Sequence, residues 1–219
     1  MARLSRKRQP GRFFHVINRG SVRARLFHTP DDYRAFVRVL TEAVAAYGLP
    51  LLAYCVMPNH WHLVVRPLNV RHLSATMHWL TTTHAVRWCR AHARVGPGPV
   101  YQGRFRSIAV QPDLHLARLC RYVERNARAA GLSKRAEDWP WGSAFQRATG
   151  EPGPELLPLE FLPDAEWRAF LNEPHIDLAI ARAIRLNRPF GDEAWLKAHA
   201  GGLIVRPPGR PRKTGTDPV

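Results

Sequence analysis

Lysine is nearly missing from this chain. Of its 33 basic residues only Lys7, Lys134, Lys197 and Lys213 are lysines, and the rest are arginines. Acids are scarce as well: 17 Asp and Glu leave a net charge of +16 over 219 residues. Guanidinium pairs bidentately with phosphate and keeps its charge, so this imbalance points to a polyanion. An anionic membrane surface and a general arginine bias are the competing explanations. Cysteine is limited to Cys55, Cys89 and Cys120, widely spaced and with no CxxC. That excludes a disulfide framework and a cysteine-built zinc site. No stretch approaches the ~18 uncharged apolar residues of a membrane span. The basic segment 1–12 lacks the apolar run of a signal peptide. The expected location is therefore cytoplasmic, associated with the nucleoid.

A core is there to be built. Hydrophobic residues make up 45% of the chain and Trp occurs seven times, which excludes a disordered basic tail. The length suits one domain with an appendage, or two small ones.

Residues 11–18 (GRFFHVIN) alternate as a strand, with Phe13, His15 and Ile17 on one side and Phe14, Val16 and Asn18 on the other. A basic turn follows through Arg19, Arg23 and Arg25. Thr29-Pro30-Asp31-Asp32 starts a helix, with Thr29 as N-cap, and Gly48 closes it. Residues 51–57 and 60–66 are apolar runs joined at Pro58-Asn59, the pattern of a hairpin. A long helix is predicted over 72–93, stopped by Gly96-Pro97-Gly98-Pro99. A fourth strand covers 104–111, and a helix beginning at Pro112-Asp113 runs to Gly131. The order β-α-β-β-α-β-α predicts an α+β protein: a ferredoxin-like (RRM-like) antiparallel sheet with helices on one face. We expect one domain over 1–150, a proline-punctuated linker with a short helical extension (177–187 and 192–199) over 151–205, and a basic Pro-rich tail over 206–219.

His60-Trp61-His62 lies on the third predicted strand, where residues two apart share a face, so both imidazoles can meet one ion or one phosphate. HxH alone is a weak signal. Tyr122 and Asn126 are one helical turn apart, flanked by Arg118, Arg121, Arg125 and Arg128. Such a cluster can hold a phosphate and lower the phenol's pKa. Together these elements suggest phosphoryl transfer, with a divalent ion polarising a phosphodiester that Tyr122 attacks.

Several segments in order, Asn18-Arg19-Gly20, residues 53–63 (AYCVMPNHWHL), residues 101–105 (YQGRF), residues 122–126 (YVERN) and residues 138–143 (DWPWGS), resemble the REP-associated tyrosine transposases, of the single-tyrosine HUH superfamily. The resemblance spans about 11–145. It implies cleavage and rejoining of single-stranded DNA through a 5′-phosphotyrosine intermediate, with hairpin-forming REP-like repeats as substrate. It places the metal ligands on His60, His62 and Asn126 and the nucleophile on Tyr122, with Mg²⁺ or Mn²⁺ as the ion. The chain would work as a monomer or a homodimer. Two positions depart from the family: Ala127 stands where Pro is usual after the asparagine, and Gly142 where Ser is common.

For DNA binding, Arg104 and Arg106 flank Phe105 on the fourth strand, suiting phosphates and a stacked base. Arg210 and Arg212 lie in a tail resembling an AT-hook core, read as a phosphate-binding segment. Trp139-Pro140-Trp141 is read as packing. His15, His72, His78, His84, His92 and His115 are read as ordinary surface or core histidines. A catalytically inactive binder of repeated palindromes is the first alternative, and a zinc hydrolase using His60, His62 and Cys55 the second.

Overall fold

A computed structural model of the chain describes residues 13–93, 98–174 and 177–198. The tail with Arg210 and Arg212 lies outside these. The four strands form in the expected places: β1 (Phe13–Arg19), β2 (Leu51–Met57), β3 (His60–Val65) and β4 (Arg106–Val110). They make one sheet of order β2-β3-β1-β4, antiparallel throughout. This is the ferredoxin-like arrangement that the element order implies.

Helix α1 (Pro30–Tyr47) starts in a capping box between Thr29 and Asp32 and ends at Gly48 with a φ of 57°. Helix α2 (Val70–Ala91) begins two residues before its predicted start, because the Asn69 side chain accepts from the Arg71 and His72 amides. Both helices pack on one face of the sheet. Phe14, Val16, Tyr54, Val56, Trp61, Leu63 and Val65 there meet Phe36, Val39 and Leu40 of α1 and Leu73, Met77 and Leu80 of α2.

The added helix α3 (Leu114–Glu124) covers the opposite face. Its Leu116, Leu119, Cys120 and Val123 pack with Ala53, Cys55, Val64, Ile108 and Val110. Burial on both faces explains why β2 reads as an unbroken apolar run rather than an alternating one. The predicted single helix to Gly131 is interrupted at Arg125, and a four-residue helix α4 (Asn126–Ala129) follows.

Past this point the sequence reading misses two helices, α5 (Ser143–Thr149) and α6 (Asp164–Asn172). Helices α7 (Leu178–Leu186) and α8 (Glu193–Ala198) fall near expectation, α7 capped by Asp177 and closed by Asn187 in the left-handed region. Trp167, Leu171, Ile180 and Phe190 join the second core beneath α3. The segment after α4 also covers both sheet edges. On β2, Val56 N donates to Trp141 O (2.8 Å), Trp139 Nε1 to Val56 O (2.9 Å), and Leu157 N to Leu51 O (2.8 Å). On β4, Phe190 N donates to Ala109 O and Gln111 N to Phe190 O, both at 2.9 Å.

Candidate active site

Antiparallel register decides which side chains share the α3 face. Arg19 lies opposite His60, Ile17 opposite His62, and Cys55 and Met57 opposite His62 and His60 from the other side. The face at this end of the sheet therefore carries His15, Arg19, His60, His62 and Arg106, with Tyr122 above it on α3. Trp61, between the histidines, points the other way into the α1–α2 core. It is anchored there as its Nε1 donates to Tyr101 Oη (3.2 Å), which is itself bonded to His84 Nδ1 (2.7 Å).

The strand ends are braced from outside. Gly20 N donates to Asn59 O, and Leu26 and Phe27 amides donate to Pro58 O, holding the β2–β3 turn. A Cβ at Gly20 would collide with the Ala24 carbonyl oxygen, so glycine is required there. Asn59 Oδ1 accepts from His60 Nδ1 (2.6 Å), turning that ring's Nε2 away from the turn.

His62 is 2% exposed and its Nδ1 lies 2.8 Å from His15 Nε2, the two rings side by side with centroids 5.0 Å apart and 9° between planes. The ring centroids of His60 and His62 are 4.8 Å apart. The Tyr122 ring stands edge-on 6.0 Å from His62 and 6.4 Å from His15. All three imidazoles are held neutral. Burial lowers His60 to about 4, helped by Arg19, and His15 to about 3, helped by Arg106 and His60. Burial also takes His62 well below its usual value, with His60, His15 and Arg19 adding to it.

Neutral imidazole is the ligating form, and His62 Nε2 is buried with no hydrogen-bond partner. That orphaned nitrogen, with neutral His60 on the same face, fits a divalent cation. Among the described residues no three His, Cys, Asp or Glu side chains form a metal cluster. The zinc alternative is not favoured, since burial pushes the Cys55 thiol up to about 12 and its Sγ is 3.7 Å from Met57 Sδ.

Asn126 follows Tyr122 across the break at Arg125, and its Nδ2 donates to the Tyr122 carbonyl (3.4 Å). Burial raises the Tyr122 pKa, opposed by a separate side-chain hydrogen bond between Asn126 and the phenol and by the charge of Arg19. This corrects the expectation that neighbouring arginines lower it. Those arginines are engaged by the C-terminal segment instead. Arg118 forms a two-pronged pair with Asp177 (2.8 and 3.0 Å). Arg121 stacks on Phe170, its guanidinium carbon 3.9 Å from the ring centre, and donates to Glu173 O (3.2 Å). Arg125 Nε donates to Leu171 O (3.2 Å).

Arg106 likewise donates to the carbonyls of Ile184 and Arg185 and to Asn187 Oδ1, where α7 ends. Phe105 is in the α1–α2 core, 5% exposed, and so offers no ring to a base; exposed Arg104 precedes β4. Arg23 and Arg25 are exposed, Arg25 turned back onto Phe27 O (2.9 Å). Arg19 is the guanidinium that stays with the histidines, and its Nε has no partner.

Two participants escape the sequence reading. His15 is dismissed there as ordinary, yet it touches His62. The β1–β3 adjacency of a ferredoxin-like sheet, followed through the strand alternation, is the signal that would have found it. Glu124, fully buried, accepts from Ser143 Oγ (2.6 Å) and Trp167 Nε1 (2.8 Å) and so fastens the end of α3 to α5 and α6. A lone acid on a helix's apolar side is its only sequence trace.

A histidine pair on a sheet and a tyrosine on the helix above it, in a ferredoxin-like frame, define a protein built to act on phosphodiesters. The family model for IS200-like transposases matches residues 11–126, and the chain belongs to that family. A solved structure of a REP-associated tyrosine transposase bound to a REP hairpin is similar in fold. It is 16% identical, has a TM-score of 0.51, and the match covers 74% of this chain and 94% of that one. A transposase structure from Deinococcus radiodurans R1 matches over 52% of this chain and 88% of its own, at 21% identity and a TM-score of 0.39. No protein of curated function matches the sequence. Among the described residues no helix is long and apolar enough to cross a membrane.

Proposed function

We propose that this transposase cleaves and rejoins single-stranded DNA beside a hairpin, with Tyr122 as nucleophile. The observation that carries the reading is the placement of the Tyr122 ring 6.0 Å from His62 within one chain, over the face that holds His60. The phenol oxygen forms a bond to phosphorus as the P–O3′ bond breaks. The phenolic proton leaves to solvent, and a proton taken up by the departing O3′ yields a 3′-OH and a 5′-phosphotyrosine. Reversal, with a 3′-OH attacking the same phosphorus, rejoins strands. His60, His62 and Asn126 would hold Mg²⁺ or Mn²⁺, which polarises the phosphate and stabilises its developing charge. Arg19 would meet the phosphate beside them. Burial raises the Tyr122 pKa, so the resting phenol is protonated at neutral pH.

The hairpin substrate follows from the bound DNA of the structural neighbour, and the chain would act on chromosomal DNA in the cytoplasm as a monomer or a homodimer. The catalytic unit is assigned to 1–150 and the extension to 151–205. Arg210 and Arg212 of the tail, and exposed Arg23 and Arg104, would add contacts to the DNA backbone. The test is a labelled single-stranded hairpin oligonucleotide incubated with the protein and Mg²⁺ or Mn²⁺, resolved on denaturing gels. A covalent adduct absent from Tyr122→Phe is expected. Bound but uncut DNA under every metal condition would favour an inactive binder, and cutting that survives Tyr122→Phe would overturn the tyrosine mechanism.

A further inference from the structure

We propose that His15 is a positioning residue, holding His62 in the tautomer that turns the Nε2 lone pair toward the divalent ion. The proposal rests on the reading of His60 and His62 as the metal pair. It starts from one hydrogen bond, His15 Nε2 to His62 Nδ1 at 2.8 Å, between rings that are 1% and 2% exposed. One proton lies between these two nitrogens, and its owner decides what His62 presents.

Were His15 the donor, neutral His62 would carry its proton on Nε2. That N–H is buried, has no acceptor and leaves no lone pair for a cation. With His62 the donor, Nε2 is a bare lone pair, which a bound cation satisfies. The second arrangement matches the neighbouring ligand. Asn59 Oδ1 can only accept, so His60 Nδ1 donates and its Nε2 is also the lone-pair nitrogen. The two imidazoles are thus fixed from behind through Nδ1, one by an amide oxygen from the hairpin turn and one by an imidazole from β1.

The alignment of the rings adds to the constraint. The His15 and His62 planes differ by 9°, and Tyr122 meets both rings edge-on. Rotating His62 would break its hydrogen bond and drive it into the phenol. Groups behind metal-bound histidines are usually carboxylates, carbonyls or water. A neutral imidazole does the same work here without placing a further charge in a fully buried position.

The tautomer can be read on the unaltered, metal-free protein. Long-range ¹H–¹⁵N spectra of the imidazoles should show His62 protonated on Nδ1, with that proton slow to exchange. Protonation on Nε2 would overturn the proposal whatever any variant does. The Mn²⁺ affinity of the DNA-free chain, read from the signal of free Mn²⁺ by electron paramagnetic resonance, gives a second readout. His15→Leu should weaken it about 10–100-fold. His15→Gln puts an amide oxygen near the lost Nε2 and should recover it to within a few-fold. Equal Mn²⁺ affinity in His15→Leu and wild type, with His62→Ala impaired, would sink the role of His15 and leave the metal pair standing. Unchanged affinity in His62→Ala would remove the metal pair, and this proposal with it. If His15→Leu does not fold, the wild-type spectrum still decides.

Discussion

The two faces of this sheet come from the same four strands, yet they are built to different ends. On the α1–α2 face, Phe14, Val16, Trp61 and Leu63 fill a continuous apolar layer, crossed by the hydrogen-bonded Trp61–Tyr101–His84 chain. The α3 face is apolar only over part of its length, through Cys55, Val64, Ile108 and Val110. Its other end gathers buried His15 and His62 with half-buried His60 and Tyr122, and leaves His62 Nε2 and Arg19 Nε without partners. One residue step along β3, from Trp61 to His62, crosses from an apolar layer to one rich in imidazole. Stability and chemistry are divided by strand alternation, and each face can be attacked without the other.

The sharpest break is Tyr122→Phe. It should lower DNA cleavage by on the order of 10⁴ or more and abolish the covalent adduct, with hairpin binding retained, as gel cleavage and fluorescence anisotropy would report. On the other face, Trp61→Ala should cost about 3–5 kcal/mol in urea unfolding, since it empties a large buried volume and strands the Tyr101–His84 pair. A loss below about 1 kcal/mol would mean that this face does not carry the fold.

Acid should act chiefly through the α3 face. His15, His60 and His62 all titrate in the folded chain well below their usual value, and His84, on the first face, sits at about 4. The unfolded chain takes up these protons near pH 6.5 and the folded chain does not. Stability is therefore complete above about pH 6.5 and declines as pH falls toward 4, by at most ~1.4 kcal/mol per pH unit for each histidine. Urea midpoints measured from pH 7 to 4.5 on the metal-free protein would show it, and a flat profile would contradict the buried, neutral imidazoles.

The smallest effects separate two arginines. Arg19→Ala should reduce the slope of log affinity for DNA against log salt by about 1, one phosphate contact, at little cost in stability. Arg118→Ala should leave that slope alone and cost about 1 kcal/mol through the lost Asp177 pair, seen as faster amide exchange at Ile180. Equal salt slopes in the two variants would remove the distinction between them.

How far this could be read in advance depends on the range of the interaction. The capping box at Thr29, the Pro58-Asn59 turn and the alternation of β1 are local, and they were legible. His60, His62, Tyr122 and Asn126 were named from spacing and resemblance, and the fold brings the histidines and the tyrosine together. His15 was hidden because its partner is 47 residues away and only sheet order joins them. The arginines of α3 resemble a phosphate cradle because their partners Asp177, Phe170 and Glu173 are distant in sequence and only tertiary packing joins them. A nine-residue helix such as α6 depends on tertiary packing, here Trp167 and Leu171, more than on its own propensity. Phe105 was misplaced because an aromatic between two arginines looks the same whether it faces solvent or a core.

The covering of the sheet edges bears on how the chain is made. β2 and β4 are complete by residue 110, but the amides and carbonyls along their outer margins are met by Trp141, Leu157 and Phe190. At a synthesis rate of about 5–20 residues per second, the β4 margin waits on the order of several seconds for its cover. A nascent chain thus carries two open strand margins, sites for unwanted pairing between neighbouring ribosome products. Truncation before residue 190 would make the β4 opening permanent, so a shortened protein should be judged first by whether it stays in solution.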